Sequence, residues 1–229
     1  AFVIVQDIFP RTQVQANKFA NITAEYADVF LPTAFWIEKG GVFGNTERRS
    51  SLTEKILTPP HNLKGDGEIF IEVAKRMGYG QYFPYSDMES VWDEYRHSTK
   101  NTDTDLSGAS YSFLRKEGSA QWPILSEADG GSKSRYRYPE DKYLKHLVVA
   151  GKLSVGDDGI YFYGFKDGKA KIFKRPHQDP AERPDRQFPF YLTTGRVVHH
   201  WHSGTMTMRV PWLKKMVKEA FVEINIEDA

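Results

Sequence analysis

The chain has 229 residues, 40% hydrophobic and 14% aromatic, enough apolar side chain to bury a sizeable core. Lys and Arg number 31 against 30 for Asp and Glu, so the formal charge of +1 recommends neither nucleic acid nor an acidic membrane surface as a partner. With no cysteine, the chain itself supplies no disulfide, thiolate zinc site, iron–sulfur cluster or cysteine nucleophile, and no apolar run is long enough to insert into a membrane.

Residues 2–5 form an unbroken apolar run ending in Gln6 and Asp7, the pattern of a parallel-sheet strand buried on both faces with polar groups at its C-terminal tip. In open α/β sheets, ligands bind at such tips. A second short run, VFLP, closes at Pro32 and predicts another strand of the same sheet. Ile69, Phe70, Val73, Ala74 and Met77 fall at helical spacing, which predicts a helix over residues 66–77 ended by Gly78 in the left-handed region. A second amphipathic helix is expected over 87–97, with Met88, Val91, Trp92 and Tyr95 on one face, and residues 101–106 are polar and turn-prone. The Asp167-Gly168 turn predicts a hairpin joining residues 161–165 to 169–173. Three prolines and many charges in 174–187 mark a domain boundary, after which 188–193 read as a strand entering a loop. Both termini read as cut: AFVIV opens on a strand pattern, and FVEINIEDA stops just after one.

That loop, TTGRVVHHWHSGTMTMR at residues 193–209, puts hydroxyls, imidazoles, an indole and arginines around two glycines. Many donors with little bulk suit recognition of phosphates and flat heterocycles. The same residues also allow a metal site on His200 and His202, for which no third ligand has convincing spacing, or a hydrogen-bonded loop that closes a domain end.

The loop, with the Val210-Pro211 after it, resembles the one opening the last domain of periplasmic nitrate reductase catalytic subunits. FVIVQDIFP, TAEYADVFLPTAFWIEKGGVFGNTERR, the Pro59-Pro60 pair, EVAKRMGYG and VWDEYR are similar to consecutive blocks of the molybdopterin oxidoreductases, and SRYRY, IYFYGFKDGKAKIF and EINIEDA come next in the order of the nitrate reductases. The resemblance implies an α/β fold: the end of a parallel-sheet domain over residues 1–174, then over 188–229 the start of a β-barrel that binds the molybdopterin dinucleotide. It implies a molybdenum cofactor on two molybdopterin guanine dinucleotides and reduction of nitrate to nitrite. The alternatives are a formate dehydrogenase alpha subunit, which HHWHSGTMTMR disfavours, and a non-catalytic module binding a nucleotide or partner.

Carried over by position, Gln6, Asp7, Lys39 and Asp66 become candidate cofactor contacts: Asp7 to the guanine edge, Lys39 to the diphosphate. The ordinary alternatives are a turn or helix-cap role for the aspartates and a solvated surface for the lysine. Thr194, Gly195, Arg196, His200, Trp201, His202 and Ser203 match the loop that wraps the pterins, and Thr205, Met206 and Arg209 match the substrate approach. No residue here is expected to ligate molybdenum, and the 4Fe-4S cluster is expected in an N-terminal portion that precedes these residues. Expected partners are the remainder of the catalytic subunit and a cytochrome c or other electron-donor subunit. The expected compartment is periplasmic, or cytoplasmic for an assimilatory enzyme. Residues 11–22 depart from the pattern as an insertion beside Gln6 and Asp7, and the NTERR run at 45–49 reads equally as surface or as cofactor-facing.

Overall fold

The computed structural model describes residues 1–9, 22–102, 104–132 and 172–229, so the expected hairpin over 161–173 and the insertion lie almost wholly outside the described residues. The chain divides into two compact units. One takes Ala1–Val5, Phe9–Val29 and Lys174–Ala229; the other takes Gln6–Ile8 and Phe30–Phe173.

Strand β1 (Ile4–Asp7) pairs with β2 (Val29–Pro32) in a two-stranded sheet, with the short helix α1 (Ile22–Glu25) just before β2. The Val3 carbonyl accepts from the Asp28 and Val29 amides at 2.9 and 3.2 Å, and the Asp7 carbonyl from the Thr33 amide at 3.1 Å. Both partners advance along the sequence together, so the pairing is parallel. The strand begins two residues later than the apolar run predicts, and it is not buried on both faces: Phe2 is 72% and Ile4 56% exposed. Double burial needs a covering layer on each side, and the described residues only half-bury Val5, Gln6 and Asp7.

The core lies in the second unit and is built by elements that carry weak sequence signals. Strands β3 (Gly41–Gly44), β4 (Arg49–Thr53) and β5 (Ser119–Gln121) form an antiparallel sheet in the order β3-β4-β5, with Val42 opposite Leu52 and Ser50 opposite Ala120. The helix Tyr111–Glu117 packs on this sheet, and Leu106, Ala109, Phe113, Leu114, Ala120 and Ile124 form its buried cluster, flanked by Val42, Leu52, Trp92 and Trp122. Ser110 caps that helix by accepting the Phe113 amide at 3.0 Å, and Gly118 ends it at φ 75°. Removing the cap in Ser110→Ala should lower stability by about 1 kcal/mol, read as an earlier denaturation midpoint with an unchanged slope.

The two expected helices form. Helix α2 (Asp66–Ala74) starts where the Glu68 carboxylate accepts the Gly65 amide at 2.6 Å, and it passes through a wider turn over Lys75–Tyr79 that Gly78 ends at φ 88°. Helix α3 (Met88–Ser98) is capped by Asp87, which accepts the Ser90 amide at 2.8 Å. The Ser90 amide, with smaller help from the Ser90 and Ser86 hydroxyls, holds the Asp87 carboxyl below its ordinary value. The Trp92 indole donates to the Ala109 carbonyl at 2.6 Å and ties α3 to the core and to the helix Tyr111–Glu117, numbered α4. The apolar face of α2 is another matter. Phe70 and Met77 are more than 60% exposed, so the helical period is present while no described element covers the face it predicts as buried.

The expected β-barrel start is not seen among the described residues. Residues 188–193 have no strand pairing, and Leu192 is 86% exposed. A strand needs a neighbour for its amides and carbonyls, and no described segment lies alongside this one. Beyond it the chain forms a compact loop, a 3₁₀ turn at Thr207–Arg209, and helix α5 (Pro211–Met216), whose proline occupies the first turn where a missing N–H costs nothing.

Candidate functional site

Three of the four candidate residues in the α/β part meet at one point. Gln6 lies at the C-terminal tip of β1, Lys39 comes just after the 3₁₀ turn Trp36–Glu38, and Asp66 opens α2. The Gln6 side-chain amide donates to Asp66 Oδ1 at 2.9 Å, and the Lys39 ammonium pairs with Asp66 Oδ2. Asp7 adjoins them on the strand, its carbonyl fixed by the Thr33 amide. Burial pushes the Asp66 carboxyl up, but the Lys39 and Gln6 hydrogen bonds and the Lys39 charge together outweigh it, leaving the group below its ordinary value. Asp66 is therefore a carboxylate at neutral pH with a nitrogen donor on each oxygen.

The cluster borders an open cleft of about 810 Å³ between the start of α2, strand β4 and the start of α4, within the usual range for small-molecule and cofactor sites. The α2 start is held close by its glycines: a Cβ on Gly67 would stand 2.9 Å from the Met88 thioether. Lys39, Lys55, Lys64 and Arg115 put cations on the cleft wall. Three of these are already paired, Lys39 with Asp66, Lys64 with Glu72 at 2.8 Å and Arg115 with Glu54 at 2.6 Å. A site of this make-up can hold an anion against Lys39 and the first-turn amides of α2, and a flat N–H-bearing edge against a carboxylate. That donor set fits one end of a guanine dinucleotide.

The loop over residues 193–209 lies in the other unit. Thr194, Gly195 and Arg196 are exposed on irregular backbone, as are Trp201, His202 and Ser203 at its tip. His202 has φ 52° and Gly204 φ 76°, where a Cβ would meet Met208 Cγ at 2.8 Å. His200 points inward and is buried. Its Nε2 lies 2.8 Å from the Val217 carbonyl, which only accepts, so Nε2 carries the proton; Nδ1 then accepts the Thr207 hydroxyl at 3.0 Å. Both nitrogens are committed to the chain, which leaves neither for a cofactor edge or a metal. Among the described residues no group of three or more His, Cys, Asp and Glu side chains could hold a metal ion.

Ser203 and Thr205 share a hydroxyl contact at 2.9 Å, and Met206 is half-buried. The Arg209 guanidinium lies 4.1 Å from the Phe9 ring centre, and its Nε donates to the Thr205 carbonyl at 3.1 Å. One face of that cation is thus covered by an aromatic ring. The NTERR run is the β3–β4 hairpin turn: Asn45 Oδ1 accepts the Glu47 and Arg49 amides at 2.9 and 3.1 Å, and Arg48 bonds the Trp122 carbonyl and stands over its ring. Its Asn start, which favours such turns, was the available signal. Thr207 and Val217 carried none.

Comparison with known proteins adds kinship to this geometry. Residues 12–76, which include Lys39 and Asp66, match the model of the molybdopterin oxidoreductase family, and residues 190–229, which include the whole tip of the loop, match the molydopterin dinucleotide binding domain. The chain belongs to the molybdopterin oxidoreductases. It is 42% identical over 217 residues to a nitrate reductase of Symbiobacterium thermophilum, covering 94% of this chain and 27% of that protein. It is 41% identical over 230 residues to the periplasmic nitrate reductase of Desulfovibrio desulfuricans and 36% over 228 residues to the F420-dependent formate dehydrogenase subunit alpha of Methanocaldococcus jannaschii, covering in both cases all of this chain and 28% of the relative. The chain therefore spans a little over a quarter of the length of these curated relatives.

Proposed function

We propose that these residues form the cofactor-gripping part of a nitrate reductase catalytic subunit, which reduces nitrate to nitrite at a molybdenum centre carried by two molybdopterin guanine dinucleotides. The observation that carries the reading is the convergence of Gln6, Lys39 and Asp66, from three separate segments, on one carboxylate beside an open cleft. The identity of 41–42% to two nitrate reductases, against 36% to the formate dehydrogenase subunit, favours nitrate. The cofactor supplies the redox chemistry; these residues bind and orient it. Lys39 and the α2 amides take phosphate, Asp7 and Asp66 take guanine N–H groups, and Thr194, Gly195, Arg196, Trp201, His202 and Ser203 of the loop take the pterin edges. Thr205, Met206 and Arg209 line the substrate approach.

The same kinship supports a 4Fe-4S cluster outside these residues, a periplasmic location, and a cytochrome c or other electron-donor subunit as partner. Formate oxidation is the second reading, favoured by the match of the M. jannaschii subunit over the whole of this chain. No helix among the described residues is long and apolar enough to cross a membrane.

The test uses the full-length protein that contains this chain. Purified from a molybdenum-replete host, it should hold molybdenum and release GMP on acid hydrolysis, and reduced methyl viologen should drive nitrate reduction. Absence of molybdenum and GMP defeats the cofactor reading and leaves a non-catalytic module. Turnover with formate and none with nitrate moves the substrate to the second reading.

A further inference from the structure

The exposed tip of the loop is held by an inner ring of bonds with Thr207 at its centre. Its hydroxyl oxygen accepts the Trp201 amide at 3.2 Å and its proton goes to His200 Nδ1 at 3.0 Å. His200 passes the constraint on through Nε2 to the Val217 carbonyl just past α5. One side chain thereby fastens the start of the tip, the imidazole beneath it and, through that ring, the end of the next helix. Two further backbone bonds close the same turn, Gly204 N–H to the Trp201 carbonyl at 2.9 Å and Met208 N–H to the Gly204 carbonyl at 2.8 Å. The backbone between them includes two residues at positive φ, one of them His202, which lacks the freedom of glycine.

We infer that Thr207 is a positioning residue: through His200 and the Trp201 amide it sets the tip conformation in which Trp201, His202 and Ser203 meet the pterin cofactor. This role rests on the proposed cofactor-binding function of the loop. A polar tip binds a flat ligand tightly only when its geometry is fixed beforehand, because ordering it on binding consumes part of the interaction energy. Thr207 need not touch the cofactor for this. It is half-buried and spends its hydroxyl on the chain itself.

The experiment compares Thr207→Val, which keeps shape and removes the hydroxyl, with Thr207→Ser, which restores it. Both are made in the full-length protein, and the readout is molybdenum and GMP retained after extended dialysis. Retention in the valine variant should fall about fivefold faster than in the parent, the worth of one neutral hydrogen bond, and serine should restore it. Unfolding midpoints of parent and serine variant should agree. His200→Gln breaks the other side of the ring and should show the same loss. Combined with Thr207→Val it should add little, since the two act as one unit, and His200→Gln alone carries the test if the valine variant fails to fold. Retention unchanged in both variants, loss not rescued by serine, or additive losses would each overturn the positioning role while leaving the cofactor reading intact. A parent that holds no cofactor overturns the reading itself.

Discussion

Gly108→Ala should cost the second unit about 3 kcal/mol or more, seen as a large drop in denaturation midpoint for the chain. A Cβ at Gly108 would lie 2.4–2.5 Å from the N, Cα and C atoms of Ser126, closer than real side chains approach backbone. Neither side can give way easily. The Gly108 amide donates to the Ile124 carbonyl at 2.7 Å, and the Ile124 amide donates to the Asp105 carbonyl at 2.7 Å. These bonds clamp residues 105–108 against 124–126, with Leu106, Ala109 and Ile124 of the buried cluster on the two sides. Asp105 locks the first segment further, its two oxygens taking the Asn101 and Ser107 amides, both at 2.8 Å. Alanine must therefore push two backbones apart inside the core. Gly44→Ala, where a Cβ would meet nothing, is the control and should change little.

Nothing in the sequence around Gly108 announces this. The legible parts were those that carry their own local signal: the period and end of α2 at Gly78, the amphipathic period of α3, and Pro32 closing β2. The core was illegible because its elements are short and defined by distant partners. Strand β4 reads RSSLT with no apolar alternation and a buried Ser50, and β5 is three residues long. Register with one another, rather than their own composition, makes them strands. The α2 stripe shows the converse: periodicity reports a helix face, but what covers it is outside the segment being read. At the candidate site, residue types were readable and directions were not. The three histidines and several hydroxyls of the loop look alike in sequence, yet His200 and Thr207 bond inward while His202 is exposed. Likewise, no spacing rule brings Gln6, Lys39 and Asp66 together across segments so far apart. The strand pattern marked Gln6 as a tip residue, kinship brought in Lys39 and Asp66, and the shared hydrogen bonds are what the fold adds.

Those shared bonds separate charge from geometry at the cofactor site. Lys39→Met should weaken retention of the cofactor by about ten- to a hundredfold, the worth of one charge-assisted hydrogen bond to phosphate. Asp66→Asn leaves that cation in place and frees it from its partner, so a phosphate contact survives while one acceptor for a guanine N–H is lost. The asparagine variant should therefore retain cofactor better than the methionine variant. Equal losses would mean that the Lys39–Asp66 pair supports the fold around the cleft and does not contact phosphate. Stability against pH distinguishes the same two possibilities. Because the folded-state Asp66 carboxyl lies below its ordinary value, its contribution is complete above about pH 4–5 and is lost as pH falls through the folded-state value. The side chains are 31% and 42% exposed, so solvent screening keeps that contribution under about 1 kcal/mol. Asp66→Asn should accordingly flatten the acid limb of the stability curve only slightly. A large acid shift in its unfolding midpoint, with unchanged cofactor retention at neutral pH, would assign the pair to the scaffold.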